Sequence, residues 1–259
     1  MAKNRYLRNK DLISQKRLTS VSIIGAGGVG SALVIGAAMM GFKRIHIWDF
    51  DKLEDHNLST TMYPETCLGL SKVDAAQEMG LLFNKDIKVI PHDEECTENS
   101  KLNDVVFMAP DNMEVRLNVH RTWKKKATRK ALIDMRMGAL TSEVITVDKD
   151  NDCFISTWKP SDQIEDEPCT AKHTIFTAMN VSSVGLAQAF NVLHNMPYFQ
   201  YIWTSLAPVS FRKERLILNQ NKEQDDKERE AKSHLYESRV PSNLRTTQGR
   251  QNNNAKQVR

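Results

Sequence analysis

The residues best placed to do chemistry begin with Gly25-Ala26-Gly27-Gly28-Val29-Gly30, which has the spacing G-x-G-x-x-G. One glycine permits a tight turn, one lets a phosphate approach the backbone, and one allows a helix to pack closely on a strand. A helix starting there offers free N–H groups and the positive end of its dipole to phosphate oxygens. Asp49 follows about twenty residues on, where a carboxylate can accept hydrogen bonds from ribose hydroxyls. A glycine-rich turn can also be no more than a turn. What makes this one a nucleotide site is its place between a strand and a helix, with an acid after the next strand. Glycines and Asp49 alone suit a nicotinamide dinucleotide as well as ATP.

These groups need a βαβ frame, and the hydrophobic pattern supplies one. Val21 to Gly25 is a short β-branched run, and Ser31 to Met40 is rich in helix formers. Between Arg44 and Trp48, Ile45 and Ile47 alternate with polar residues, so a second strand ends just before Asp49. A crossover between such strands is almost always right-handed, which makes the pair parallel. Further on, Val73 to Phe83 and Asn112 to Lys125 read as helices, and Ile87 to Ile90, Asp104 to Met108 and Ala131 to Met135 as strands. Glu143 to Val147 with Cys153 to Trp158 is expected to form a hairpin across Asp150-Asn151-Asp152. Pro160 to Pro168 is expected to be a polar loop, Ile175 to Leu193 a long helix, and Tyr198 to Leu218 one or two closing strands. The fold class is therefore α/β: a Rossmann-like, doubly wound, mostly parallel sheet with helices on both faces and an antiparallel extension in the C-terminal half.

Composition narrows the function classes. The chain has 259 residues, 40% apolar and 26% charged, with a formal charge of +4. Such values are ordinary for a soluble globular chain and do not by themselves argue for nucleic-acid binding. Much of the basic character lies in the last fifty or so residues, where Lys and Arg are interleaved with Glu and Asp and lack stacking aromatics. Residues 219–259 are accordingly expected to be a charged, disordered tail, and residues 1–18 an N-terminal arm. The longest apolar stretch, Ala32 to Phe42, is interrupted by Gly36 and Gly41 and is shorter than the ~18 residues a spanning helix needs. Cys67, Cys96, Cys153 and Cys169 include no CxxC pair, so no structural zinc is expected, and the setting is expected to be cytoplasmic. The histidines show no H-x-x-H pairing.

Past the glycine turn, four segments form an ordered series: Asp49-Phe50-Asp51-Lys52-Leu53-Glu54-Asp55-His56-Asn57-Leu58, Gly69-Leu70-Ser71-Lys72-Val73, Ala109-Pro110-Asp111-Asn112 and Ile133-Asp134-Met135-Arg136-Met137-Gly138. The first resembles the D-x-D-x-V-x-x-x-N-L of the ThiF/MoeB/HesA family, the catalytic core shared with ubiquitin-activating enzymes. The second resembles that family's G-x-x-K-V and the third its T-D-N. The fourth is similar to a segment of some phage, plasmid and bacterial members. The resemblance covers roughly residues 5 to 195. It implies that 19–218 is an adenylation domain, that Asp49 holds the ribose, that Asn57 and Lys72 lie near the phosphates, and that Asp111 binds Mg²⁺. A helix N-cap at Asp111 is the plainer reading of that residue, and the two roles can coexist. On this resemblance ATP and Mg²⁺ are the cofactors. The activity it implies is adenylylation of a carboxylate, most often the Gly-Gly C-terminus of a small ubiquitin-like or sulfur-carrier protein.

The departures from the pattern matter as much. The family's N-L-x-R-Q reads Asn57-Leu58-Ser59-Thr60-Thr61, so an arginine is missing at Thr60. Arg116 and Arg136 are candidates to replace its charge. Arg5-Tyr6-Leu7-Arg8-Asn9 resembles the R-Y-x-R-Q that supplies an arginine finger to the other subunit, which implies a homodimer and gives Arg8, ahead of Arg5, that role. Cys169 lies just before the long helix beside Lys172 and His173, an environment that lowers a thiol pKa and suits thioester or acyl transfer; a half-buried cysteine with no role is the plainer reading. Two other classes stay open: an NAD(P)-dependent oxidoreductase, and a degenerate member that binds nucleotide as a scaffold.

Overall fold

In a computed structural model, which describes residues 4–164 and 173–218, one eight-stranded sheet runs in the order β3-β2-β1-β4-β5-β6-β7-β8. Its parallel part is β1 (Ser20–Ile24), β2 (Arg44–Asp49), β3 (Lys88–Asp93), β4 (Val105–Met108) and β5 (Ala131–Met137). Its antiparallel extension is β6 (Thr141–Asp148), β7 (Tyr198–Leu206) and β8 (Val209–Ile217). The order reverses between β1 and β4. Ligands of open α/β sheets bind at such a switch point, outside the carboxyl ends of the strands.

Alternation along the strands builds two cores, one on each face. On one face Val21, Ile23, Val105, Phe107 and Ile133 pack with α1 (Gly28–Met40), α2 (Lys72–Phe83) and α5 (Ile175–Leu193). On the other, Ile24, Trp48, Val106, Met108, Leu132 and Ile145 pack with Val119 and Trp123 of α3 (Met113–Lys124). Small residues let the helices close in: a Cβ at Gly36 of α1 would stand 2.4 Å from Leu186 of α5. Helices on both faces of a mostly parallel sheet are what the sequence pattern predicts.

The expected hairpin between Glu143–Val147 and Cys153–Trp158 does not form. Instead β6 pairs with β5 on one side and β7 on the other, so neither of its edges is open to a further strand. Residues Phe154–Thr157 make a single helical turn, α4. Asp152 sets this turn by accepting from Phe154 N at 3.2 Å, and is itself held by His120 and by Lys124 at 2.8 Å. Phe154 is fully buried against His120, whereas Ile155 is 57% exposed. The apolar run that imitates a strand has one buried anchor, not an alternating face.

The first residues pack on the domain. Tyr6 Oη accepts from Asn84 Nδ2 at 2.9 Å, Gln15 Nε2 donates to Met40 O at 3.0 Å, and Arg17 Nη1 donates to Leu193 O at 2.7 Å. Those partners stand at the carboxyl ends of α2, α1 and α5. The tail expected over 219–259 lies outside the described residues, as does Cys169.

Candidate nucleotide site

The glycine turn owes its shape to contacts that only glycine permits. Gly25 has φ 92°, and a Cβ there would lie 2.7 Å from Ala109 O. A Cβ at Gly30 would lie 2.0 Å from Gly25 O, and one at Gly28 2.6 Å from Thr60 O. Gly27 differs, since a Cβ there meets nothing within 4 Å. It is also the N-cap of α1 and has no side chain to satisfy the helix's first N–H groups. Three glycines thus serve packing, while the fourth faces open space at a helix N-terminus, the arrangement that suits an anion. The sequence places the start of this helix at Ser31; it begins three residues earlier, inside the turn.

A buried tyrosine locks the turn from behind. Tyr63 Oη donates to Ala26 O at 2.8 Å, and burial pushes its pKa well up. Ser31 Oγ accepts from Met62 N at 3.0 Å and so ties α1 to the 60–63 segment. Neither residue has a glycine's or an acid's signature, and sequence reasoning missed both.

Asp49 ends β2 directly beside the turn. Its Oδ2 accepts from Ala26 N at 2.7 Å and its Oδ1 from Asp51 N at 2.9 Å. Burial raises the carboxyl pKa, and these two backbone donors oppose the rise. Asp51 accepts from Lys72 Nζ at 2.6 Å, and Lys72 N donates to Asp51 O at 2.9 Å. The Lys72 side chain is 12% exposed against 52% for Asp51. What brings them together is a short antiparallel contact: Lys52 bridges Ser71, while Leu53 N donates to Leu70 O at 2.9 Å and Gly69 N to Leu53 O at 3.0 Å. The D-x-D and G-x-x-K-V segments are therefore neighbours in space.

Asn57 closes the capping box of the helical turn Asp55–Asn57, accepting from Glu54 N at 3.0 Å. Its carbonyl receives Thr60 N and Thr61 N, each at 3.0 Å. This fold-back lays Thr60 over Gly28, so the position lacking the expected arginine adjoins the glycine turn.

Asp111 follows β4 at the switch point. Ala109 N donates to Ile24 O at 2.8 Å, and the Ala109 carbonyl lies against Gly25, which sets the next residues beside the turn. The N-cap of α3 is Asn112, not Asp111: Asn112 Oδ1 accepts from Glu114 N at 2.8 Å and Val115 N at 2.9 Å. Asp111 is exposed, and its charge reaches the Arg116 guanidinium. An exposed carboxylate beside the glycine turn fits Mg²⁺, which is commonly held by one or two carboxylates together with substrate phosphates. No cluster of three or more His, Cys, Asp or Glu side chains able to hold a metal occurs among the described residues.

Arg116 and Arg136 are both committed elsewhere. They converge on buried Asp134, and Arg116 also donates to the carbonyl of Pro110. Burial lowers the Arg116 pKa, and the charge of Asp134 opposes that shift. Arg8 is exposed on the arm, near Tyr6 and hence at the carboxyl end of the thirteen-residue α1, about 20 Å of helix from its own glycine turn. Arg5 donates to Phe83 O at 2.7 Å at that same end.

The ThiF family profile matches residues 5–236. The chain belongs to the ThiF family. It is 30% identical to ubiquitin-like modifier-activating enzyme 5 of Caenorhabditis briggsae over 122 residues, which are 41% of this chain and 28% of that enzyme. It is 34% identical to adenylyltransferase and sulfurtransferase MOCS3 of Culex quinquefasciatus over 103 residues, 38% of this chain and 24% of that protein. These matches thus span about a quarter of the relatives' length. Among solved structures, E. coli MccB aligns with TM-score 0.69 at 15% identity, covering 83% of this chain and 70% of MccB. PaaA aligns with TM-score 0.68 at 20% identity, covering 83% and 74%. Those two likenesses show the fold. Among the described residues no helix is long and apolar enough to cross a membrane.

Proposed function

We propose that this protein uses ATP to adenylylate a carboxylate. The observation that carries the reading is the meeting of Gly27, Asp49, Asp51–Lys72 and Asp111 at the carboxyl edge of the parallel strands in a ThiF-family chain. The free N–H groups of the first turn of α1 take the phosphates, and Asp49 accepts from the ribose hydroxyls. Lys72, oriented by Asp51, donates to phosphate oxygens as charge builds on them. Asp111 holds Mg²⁺, which when bound neutralises phosphate charge. A carboxylate oxygen of the substrate attacks the α-phosphorus, a P–O bond to the β-phosphate breaks, and acyl adenylate and pyrophosphate result. A dinucleotide oxidoreductase would use the glycines and Asp49 but leave Lys72 and Asp111 without a task.

The substrate class we assign is the C-terminal carboxylate of a small ubiquitin-like or sulfur-carrier protein ending in Gly-Gly, as the names of the relatives suggest. E. coli MccB has been solved with ATP and with MccA, and a peptide carboxylate is the other candidate for this chain. Because the arm lies at the far end of its own domain, Arg8 serves as a finger only across a homodimer. Cys169, six residues before the start of α5 in the sequence, is the proposed acceptor for acyl transfer.

ATP–pyrophosphate exchange, run with a panel of such carriers and peptides, tests the reading. We expect exchange with at least one partner, and a loss of roughly 100-fold or more in Asp111→Ala and in Lys72→Ala with the fold retained. Full activity in both variants sinks the assignment. ATP binding without exchange for any partner favours the scaffold that Thr60 suggests, and quenching of nicotinamide fluorescence favours the oxidoreductase. A Cys169→Ala variant should still form AMP but lose any reducible adduct.

A further inference from the structure

Asp134 is the central residue of β5, level with Met108 at the carboxyl end of β4, and none of its surface is exposed. One carboxylate oxygen accepts from Arg116 Nη1, and the other from Arg136 Nε at 2.9 Å and Nη2 at 2.7 Å. Two guanidiniums share the one buried carboxylate, and Arg136 Nη1 also lies 3.9 Å from Oε2 of the partly exposed Glu143. Filling a core this way is seldom the most stable choice, because apolar residues of like volume do at least as well. Arg116 Nε adds to the cost, being buried without a partner. The group is better understood from what it holds in place.

Arg116 reaches from α3 back to the loop before its own helix. Nη1 lies 3.4 Å from Met108 O, and Nη2 donates to Pro110 O. Those carbonyls flank Ala109, and Pro110 immediately precedes Asp111. Arg136 donates to Thr157 O at 2.7 Å. The segment it grips is fastened in turn to the first turn of α3: Trp158 Nε1 donates to Met113 O at 2.8 Å, and Ser161 N to Glu114 Oε1 at 3.0 Å. Loop 108–111, the start of α3, β5 and segment 157–161 all close around Asp134. Asp111's own carboxylate takes no part in these bonds.

We propose that Arg116, Asp134 and Arg136 form a positioning device for Asp111, fixing the backbone that aims its carboxylate at the metal and phosphates of the nucleotide. The inference rests on the adenylylation reading and names residues which that reading leaves idle. The arginines act through Asp111 and do not stand in for the arginine absent at Thr60, since their Nη donors are engaged by Asp134, by backbone oxygens and, for Arg136, by the Thr157 hydroxyl.

Calorimetric titration of the full chain with ATP, in Mg²⁺ and in EDTA, tests this. Asp111 meets the nucleotide through the metal, so loss of its aim should weaken only the part of the affinity that Mg²⁺ adds. Lysine at Arg116 keeps the charge but cannot span both carbonyls. We expect Arg116→Lys to cut the Mg²⁺-dependent gain about tenfold and leave the EDTA Kd within about twofold. In an Asp111→Ala background the same change should have no further effect, the signature of coupled residues. Equal losses in Mg²⁺ and EDTA, or a loss that persists undiminished without Asp111, would overturn the proposal. If thermal melting shows Arg116→Lys to be unfolded, Arg136→Gln at the more exposed end of the group carries the same expectations. A wild-type protein that binds ATP with no gain from Mg²⁺ overturns the metal role of Asp111 and this inference with it. That result is distinct from a gain that is present but uncoupled from Arg116.

Discussion

The parallel and antiparallel halves of the sheet solve different problems. Every residue of β4 is buried, and β1 is buried from Val21 onward, because helices cover both faces there. β8, at the other end, is exposed along all but its last residue. A strand covered on both faces has no side chain to offer solvent except at its ends. The polar groups with chemical potential therefore collect at the carboxyl tips, where Gly25, Asp49 and Asp111 stand within three residues of the ends of β1, β2 and β4. The antiparallel strands contribute little of that kind; β6 and β7 extend the frame on which α5 rests.

The largest effects should come from the covered half. Phe107→Ala empties a fully buried position in β4 and should cost about 3–5 kcal/mol in denaturant unfolding. Phe211→Ala in β8, where the ring is 65% exposed, should cost under about 0.5 kcal/mol. Equal losses would mean that the β8 face is covered in solution and would break the comparison. Next in size is a contrast within the glycine turn. Gly30→Ala should unfold or severely destabilise the domain, since its Cβ has no room beside Gly25 O. Gly27→Ala should leave thermal stability nearly unchanged yet weaken ATP binding roughly tenfold, because there the lost space is the ligand's. Unchanged affinity in that variant would reduce the turn to a structural element.

The smallest expected effect is a pH dependence on the parallel half's outer strands. His46 Nδ1 and His92 Nε2 lie 3.0 Å apart, and His92 stacks on Trp48 at 4.1 Å. Burial draws both imidazole pKa values below the usual 6.5. Folded-state values below the unfolded ones mean that the neutral rings contribute stability above about pH 6.5, which is lost as pH falls through the depressed values. The melting temperature should therefore decline on acidification below that point. His92→Phe, which keeps the stack and removes one proton site, should make the decline shallower. An unchanged slope would assign it to His120, whose pKa burial also lowers.

Strand and helix periods, the glycine spacing and the Asp49-to-Asp111 series were legible in the sequence because each is local. Glycine turns demand glycine, and helices and buried strands announce themselves within ten residues. Where the local pattern was ambiguous the reading failed, as at Cys153–Trp158, whose apolar spacing fits a strand while both edges of β6 are already occupied. The glycine turn, likewise, is readable as a phosphate cradle. That Gly28 answers to Thr60, Gly25 to Ala109 and Ala26 to Tyr63 is decided by segments far away in the chain.

By itself, then, the sequence determined the α/β frame, the ThiF resemblance and the identity of the residues at the strand tips. Only the tertiary structure decided that Asn112 rather than Asp111 caps α3, that Arg8 is remote from its own turn, and that Arg116 and Arg136 converge on Asp134. The reason is physical. A residue type carries its own hydrogen-bonding and charge, but which partner it meets depends on which distant elements the two cores bring together.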